Sequence, residues 1–314
     1  MAGNEVAPPS SLWGTIRHQA RAWYWATRPF SLTASVVPIV VATALAFQDG
    51  KANLLLFLLM LIASLLVQVG TNLVDEYADH ARPEGKRKLL APYKVIALGL
   101  LSSGAVRTGA VACFSIATAI GVYLVLRTGW PLLAFCLASL LVAFLYAGGP
   151  LPLGSLGLGW PLVFLFMGVG MVVASYYVHT YTLATEVWWL SLPVAFLVTA
   201  ILIANDLRDL EEDIAVGKKT PVTLWGRSFG RWAWTLMLLG AYATVVTLVA
   251  TSQRGALLLL VFLTLPQALR CGLILWREEG RPALSAGMRG TATLHWRFGL
   301  LMAVGIALER FLPI

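Results

Sequence analysis

The chain is built from long apolar runs separated by short polar segments. Nine runs approach the roughly 17–25 residues that a helix needs to cross a bilayer. The runs lie at 30–48, 53–75, 106–126, 130–147, 158–180, 187–206, 230–250, 255–276 and 294–312. The eighth run contains Pro266, which predicts a kink, because proline removes a hydrogen bond inside a helix. The pattern predicts an all-α, polytopic membrane protein with nine transmembrane helices.

Composition supports the same class. Only 12% of the 314 residues are charged, whereas soluble proteins average about 25%. No Asp, Glu, Lys or Arg occurs between residues 128 and 185. The net charge of +8 is carried largely by short loops, so we expect membrane topology rather than a nucleic-acid partner to explain it. The three cysteines lie in apolar segments without metal-ligand spacing and are interpreted as packing residues.

The N-terminal segment differs from the rest of the chain. Aromatic and basic residues alternate over 12–27, which favours a helix lying in the membrane interface, with a plain N-terminal tail as the alternative. We therefore divide the chain into residues 1–29, a tail with an interfacial helix, and residues 30–314, a single transmembrane domain. Nineteen of the 23 Lys and Arg residues fall on the N-terminal side of the predicted topology, which places that side in the cytoplasm.

Two polar segments, each at the end of an apolar run, carry the candidate chemistry. In each, the polar residues recur at helical spacing and share one face. These residues are Asn72, Asp75, Glu76 and Asp79 in the first motif, and Asn205, Asp209 and Asp213 in the second. Carboxylates one turn apart suit Mg²⁺, which often completes its shell with substrate phosphates. A single such segment could equally be a solvated helix end. Both motifs end even-numbered predicted helices, so they are expected on the same, cytoplasmic, side.

The charge pattern around the motifs suggests a substrate class. A basic stretch follows each motif, at 82–94 and 218–231. Acids and bases beside an apolar bundle suit a diphosphate that is held through Mg²⁺ and carries an apolar tail, such as a prenyl diphosphate. The bundle would shelter the tail and exclude water from a reactive carbocation. The rival class is a secondary transporter, since acids within membranes also mark ion paths. The clustering of the acids at helix ends argues against it.

These residues resemble the UbiA superfamily of intramembrane prenyltransferases over nearly the whole chain. Within it, the chain is most similar to the dihydroxynaphthoate polyprenyltransferases of menaquinone biosynthesis. The segments that carry the resemblance are 28–38, 72–79, Tyr146 with 148–150, 157–159, and 205–213 continued by 216–220. There are two departures. Asp75-Glu76 stands where relatives usually have Asn-Asp, and Trp160 stands where many carry an acid.

The resemblance implies nine helices around a central cavity, with cytoplasmic cap loops. The expected metal ligands for Mg²⁺ are Asp75, Glu76, Asp79, Asp209 and Asp213. The expected catalytic residues are Asp75, Asp79, Asp209 and Asp213. The expected substrate-binding residues are Arg28, Asn72, Lys94, Tyr146, Tyr177, Asn205, Arg208, Lys218 and Lys219. For Lys94 an ordinary cytoplasmic lysine is the alternative, and for Tyr177 it is helix packing. His179 is expected to be packed or hydrogen-bonded rather than catalytic.

The implied function is Mg²⁺-dependent transfer of a polyprenyl group from a prenyl diphosphate to an aromatic acceptor. The expected acceptor is dihydroxynaphthoate, as in menaquinone biosynthesis. The alternative within the family is another acceptor, such as hydroxybenzoate or a different quinone, tetrapyrrole or lipid precursor. The expected location is the bacterial cell membrane, with the N-terminus and the caps in the cytoplasm and the bilayer as a partner.

Overall fold

The computed structural model describes residues 12–81, 94–147, 153–251 and 253–312. Nearly all of these residues are helical, and their only strand-like pairing is one backbone bridge between Leu156 and Lys219. The predicted all-α class is therefore confirmed. Most of the first predicted basic stretch, 82–93, and the Gly-Gly-Pro loop at 148–152 lie outside the described residues.

The described part of the chain contains twelve α-helices, of which α6 and α9 are short, and four irregular helical segments. The helices, in chain order, are α1 (Leu12–Ala26), α2 (Thr33–Gln48), α3 (Leu54–Ala81), α4 (Ser103–Thr128), α5 (Trp130–Ala147), α6 (Gly159–Leu162), α7 (Met171–Thr180), α8 (Thr185–Arg208), α9 (Leu210–Ala215), α10 (Pro221–Ala250), α11 (Leu265–Arg277) and α12 (Arg281–Glu309). A π-helical stretch, Val163–Gly170, joins α6 to α7. Segments of 3₁₀ helix, Pro29–Ser31, Leu153–Ser155 and Ala256–Thr264, precede α2, α6 and α11.

Eight helical stretches in the described part of the chain are long and apolar enough to span a membrane. They correspond to eight of the nine predicted runs, so the chain is an integral membrane protein. The remaining run, 130–147, forms α5, whose apolar portion, Trp130–Ala143, is shorter than the other spans. The predicted count of nine is therefore not confirmed, although a helix stands at each predicted position.

The central helices are α2, α8 and α12, which pack against one another and are the most buried of the spans. Apolar helices gain little from the hydrophobic effect inside lipid, so close van der Waals packing must hold them together. Glycine permits that packing at two contacts. A Cβ at Gly299 would lie 2.3 Å from Val37 Cγ1, and one at Gly168 would lie 2.3 Å from Ala195 Cα.

Two predicted helix boundaries need correction. The last helix begins at Arg281, not at 294, because Arg289 interrupts the apolar pattern without ending the helix. The tenth helix begins at Pro221 rather than 230 and breaks at Gly226, whose φ of 83° is a conformation that glycine adopts readily. The kink predicted at Pro266 corresponds to the change from 3₁₀ to α-helix at Leu265.

The N-terminal helix α1, Leu12–Ala26, lies within the segment 12–27 for which a helix was predicted. Its buried residues Ala22 and Ala26 pack in one cluster with Leu73 of α3 and Val106 of α4. The placement of α1 in the membrane interface stays a prediction.

Helices α3 and α8 end at the same end of the bundle, where α2 and α12 begin. Two ion pairs show this. Arg28, just before α2, pairs with Asp75 of α3, and Arg281, the first residue of α12, pairs with Asp209 beyond α8. We call this the motif end, and the other the opposite end.

Candidate active site

The first motif is fixed by contacts to the segment that precedes α2. Asn72 is buried, and its side-chain amide donates to the carbonyl oxygen of Thr27 at 2.8 Å and to Ser31 Oγ at 3.0 Å. These bonds hold the Arg28 turn against α3. Arg28 adopts φ 50°, which is uncommon for a non-glycine residue, and its guanidinium lies 2.6 Å from Asp75. The structure therefore brings together Arg28 and Asp75, two of the predicted site residues, whose roles stay predictions.

Lys94 contacts the next turn of the first motif. Glu76 is only 2% exposed and accepts a hydrogen bond from the Ile96 amide at 3.1 Å. Its other carboxylate oxygen has no hydrogen bond and lies 3.6 Å from Lys94 Nζ. The same ammonium contacts Asp79. Lys94 therefore lies between two of the predicted metal ligands.

The second motif is organised by Arg208. Its guanidinium donates to Asn205 Oδ1 at 2.7 Å and to Asp209 Oδ1 at 2.8 Å. Helix α8 ends at Arg208, and the short α9 begins at Leu210. The residues predicted to share one helical face over 205–213 therefore belong to two helices. The helical spacing of Asp209 and Asp213 is nevertheless kept, because the Asp213 amide donates to the Asp209 carbonyl at 2.8 Å.

Two further cations complete this half of the site. Asp213 is 2% exposed and pairs with Lys218 at 2.9 Å. Arg281 contacts Asp209 at 3.1 Å and Glu212 at 2.6 Å. Arg281 and Glu212 were not predicted from the sequence, since only the packing of α12 brings Arg281 here. Its position at the first turn of a membrane helix gave no signal of its own.

Neighbouring charges keep Asp209 and Lys218 ionised. Burial acts to raise the pKa of Asp209, but the hydrogen bond and charge of Arg208, with the charges of Arg281 and Lys218, hold it below its ordinary value. Burial acts to lower the pKa of Lys218, but Asp213 and Asp206 raise it above its ordinary value. Asp209 and Lys218 therefore stay charged throughout the neutral pH range.

Asp206 was not among the predicted site residues. It is 3% exposed, and the indole Nε1 of Trp160 donates to its Oδ2 at 2.8 Å. The Trp160 ring stacks on Phe229, with centroids 5.9 Å apart and planes at 6°. The residue noted as a departure from the family pattern thus contacts the second motif directly. The sequence could have indicated Asp206 as a site residue, because it is a carboxylate directly after Asn205 of the second motif.

Tyr146 links the two motifs. Its phenol interacts electrostatically with Asp75 of the first motif and with Asp206, Asp213 and Lys218 of the second. A Cβ at Gly159 would lie 3.3 Å from the Tyr146 hydroxyl. The phenol therefore lies within electrostatic range of both acidic clusters.

Two predicted binding residues lie away from this cluster. Tyr177 donates to the carbonyl of Thr128, the last residue of α4, at 2.9 Å, which places it at the opposite end. Lys219 is exposed and takes part in the backbone bridge to Leu156. His179 is buried and hydrogen-bonded to Thr43 at 3.1 Å, as expected.

The donor set fits Mg²⁺. In the part of the chain that the structure describes, no three His, Cys, Asp or Glu side chains form a ready-made metal cage. Mg²⁺ does not need one, because it binds one or two carboxylates and fills its shell with water and phosphate oxygens. The buried, unbonded oxygen of Glu76 and the half-exposed Asp75 supply such oxygens in the first motif.

Comparison with known proteins agrees with this geometry. The model of the UbiA prenyltransferase family matches residues 35–306. The chain belongs to the UbiA prenyltransferase family. A relative within this family, the 1,4-dihydroxy-2-naphthoate octaprenyltransferase of Bacillus subtilis (strain 168), is 32% identical over 307 residues, covering 98% of this chain and 97% of the relative.

Solved UbiA structures share the fold. A UbiA homolog from Aeropyrum pernix K1, in its apo form, aligns with a TM-score of 0.64 at 16% identity, covering 88% of this chain and 97% of that chain. A UbiA homolog from Archaeoglobus fulgidus, bound to DMAPP and Mg²⁺, aligns with a TM-score of 0.58 at 14% identity, covering 90% and 99%.

Proposed function

We propose that this prenyltransferase moves a polyprenyl group from a prenyl diphosphate to 1,4-dihydroxy-2-naphthoate with the aid of Mg²⁺. The observation that carries the proposal is the pair of acidic motifs that converge on Tyr146 at one end of an apolar bundle. The B. subtilis relative named for this acceptor supports it. The homolog bound to DMAPP and Mg²⁺ has the same fold. Family membership argues against a transporter.

Mg²⁺ would be held by Asp75, Glu76 and Asp79 in the first motif and by Asp209 and Asp213 in the second. When bound there, it neutralises the diphosphate and makes it a better leaving group.

The cations of the site bind the same diphosphate. Each of these cations already contacts a carboxylate. When a diphosphate binds, it can replace that carboxylate as the partner of the cation, so no cation is buried without an anion. These cations are Arg28, Lys94, Arg208, Lys218 and Arg281. Arginine suits phosphate oxygens because its donors form a planar fork. Asn72 and Asn205 position the two Arg-bearing segments.

The polyprenyl chain belongs in the apolar interior below the motifs. Loss of diphosphate leaves an allylic cation there, and the packed aliphatic core excludes the water that would quench it. Tyr146 and Trp160 lie at the boundary between this interior and the charged groups. Their rings suit the binding of an aromatic acceptor at the reacting end of the chain.

The acceptor is prenylated at the ring carbon that bears its carboxylate. A carboxylate base removes a phenolic proton, the electron-rich ring forms the new carbon–carbon bond, and carbon dioxide leaves. Its bonding electrons restore the aromatic ring, and the phenolate regains a proton, giving a prenylated naphthalenediol. Asp75 is assigned as the base, with Asp79 as the alternative, because the Asp75 side chain is 40% exposed and interacts with Tyr146.

The test is a product assay on purified protein in lipid nanodiscs with Mg²⁺. Several prenyl diphosphates are paired with dihydroxynaphthoate and with hydroxybenzoate, and the products are weighed by mass spectrometry. We expect pyrophosphate release and a prenylated naphthalenediol that lacks the carboxylate. A product that keeps the carboxylate, or turnover with hydroxybenzoate alone, would assign the chain to another acceptor.

The motif end is assigned to the cytoplasm of a bacterial cell membrane from the excess of Lys and Arg on that side. Lys219 is exposed at this end and offers a labelling position. In a variant without native cysteines, Lys219→Cys should react with an impermeant maleimide only after the cells are opened. Labelling of intact cells would reverse the orientation.

A further inference from the structure

Three arginines lie on the outer surface of the bundle within membrane-spanning segments. Arg270 of α11 and Arg289 and Arg297 of α12 are all exposed. Charged residues in transmembrane helices usually face the interior of the bundle, because a charge in hydrocarbon is costly. These three are exceptions that none of the roles described above explains. We call them the outer arginine surface.

The surface is held together by Gln267. Its side-chain amide donates to the Gly290 carbonyl at 2.9 Å, and its Oε1 accepts a hydrogen bond from Arg297 Nη1 at 2.8 Å. Arg270 lies one turn after Gln267 on α11. Arg289 and Arg297 lie two turns apart on the same face of α12. The cations of the two helices therefore form one group.

The arginines extend from the membrane surface inward. At 1.5 Å per residue, Arg289 lies about 12 Å and Arg297 about 24 Å beyond the start of α12. On α11, Arg270 lies about 10 Å before the end of the helix at Arg277. Long arginine side chains reach toward the interface. Arg270 and Arg289 thus lie near the headgroup level of the leaflet at the motif end, and Arg297 lies below them.

The positive charge is not balanced by the protein. Among the described residues, none of the three arginines forms an ion pair. The acids of this region are Glu278 and Glu279 in the loop between the helices, and Glu309 at the far end of α12, which pairs with Arg254. An anionic partner would offset the cost of holding these three cations at and below the headgroup level.

We propose that the outer arginine surface binds the headgroup phosphate of an anionic phospholipid in the leaflet at the motif end. The neighbouring exposed side chains are aliphatic, Leu269 and Leu273 on α11 and Val304 on α12, which suits acyl chains. One molecule with a phosphate and two acyl chains matches both features. A second copy of this chain fits poorly, because a two-fold contact would place arginines against arginines.

The test measures retained lipid by native mass spectrometry. The protein is placed in nanodiscs of phosphatidylcholine with one quarter phosphatidylglycerol and released into the gas phase. The variant Arg270→Gln/Arg289→Gln/Arg297→Gln is compared with Lys51→Gln/Arg107→Gln/Arg127→Gln, which removes the same charge from exposed positions elsewhere. Each arginine near an anionic surface contributes about fivefold, so the first variant should bind phosphatidylglycerol on the order of a hundredfold more weakly.

The controls separate the alternatives. Wild type and the second variant should retain phosphatidylglycerol equally, and Arg289→Gln alone should lose about fivefold. Equal retention by all variants would overturn the proposal. So would a change of oligomeric mass in the first variant, which would indicate a contact between copies. Displacement of the lipid by millimolar inorganic phosphate would show a free-anion site instead.

Discussion

Replacing Lys94 by methionine tests whether this lysine serves the substrate as well as the fold. Lys94 Nζ contacts Asp79 and lies 3.6 Å from Glu76, which is 2% exposed. Removing one partner of a buried ion pair costs about 3–5 kcal/mol. Glu76 keeps its hydrogen bond from Ile96 and can take up a proton, so we expect a loss of unfolding free energy near the lower end of that range.

The same change should weaken binding of the prenyl diphosphate. A charge-assisted hydrogen bond contributes about 1.5–3 kcal/mol, so KM for the diphosphate should rise roughly 10- to 150-fold. The KM for the acceptor should change far less. The assay measures initial rates with labelled prenyl diphosphate at saturating acceptor and Mg²⁺. Thermal unfolding in the same detergent gives the stability.

A double variant separates the two effects. Lys94→Met/Glu76→Gln removes the more deeply buried of the two carboxylate charges that lose Lys94, so most of the stability should recover while the KM for the diphosphate stays high. Glu76→Gln alone is the reference, and Lys51→Met, at an exposed lysine of the opposite end, is the control for loss of one cation. If the KM returns to normal together with the stability, Lys94 has only a structural role, and the proposed diphosphate contact is wrong.

Three further predictions concern the second motif. Asp209→Ala and Asp213→Ala should each lower kcat on the order of a hundredfold or more while the protein still inserts, and near-normal turnover in either would contradict their role at the metal. Trp160→Phe removes the donor to buried Asp206 and should cost about 1–3 kcal/mol in unfolding free energy; an unchanged melting temperature would show that the bond contributes nothing. The folded-state pKa of Lys218 is raised, so its contribution to stability should be constant at neutral pH and be lost only above about pH 10.4. Melting temperatures of wild type and Lys218→Met, measured over a series of pH values, would show this.

The sequence predicts the helices because apolar runs of spanning length have few alternatives in a membrane. It also predicts the two motifs, since carboxylates at helical spacing interrupt those runs. Asn72, Asp75 and Asp79 could be placed on one face from spacing alone, and the structure shows Arg28 and Lys94 beside them, as proposed. These patterns are local, because each can be seen within one short segment of the sequence.

Contacts between distant segments could not be predicted. Arg281 joins the site because α12 begins earlier than its apolar pattern indicates. Trp160 reaches Asp206 because the chain from α6 to α7 is partly π-helical and packs closely against α8 at Gly168. The hydrophobic pattern does not distinguish a π-helix from an α-helix. It also gives no information on which indole meets which carboxylate.

The opposite end of the bundle shows why the chemistry is confined to the motif end. The Arg254 side chain, 3% exposed, lies 3.4 Å from Glu309 and contacts Glu186 and Gln48, so it ties together the ends of α2, α8 and α12. Breaking such a buried network leaves an uncompensated charge, which costs several kcal/mol. A transporter would have to open both ends in turn and would meet this cost in every cycle. A prenyltransferase needs one open end for a diphosphate and a closed apolar interior for the chain, which is the arrangement that the buried Arg254 network stabilises.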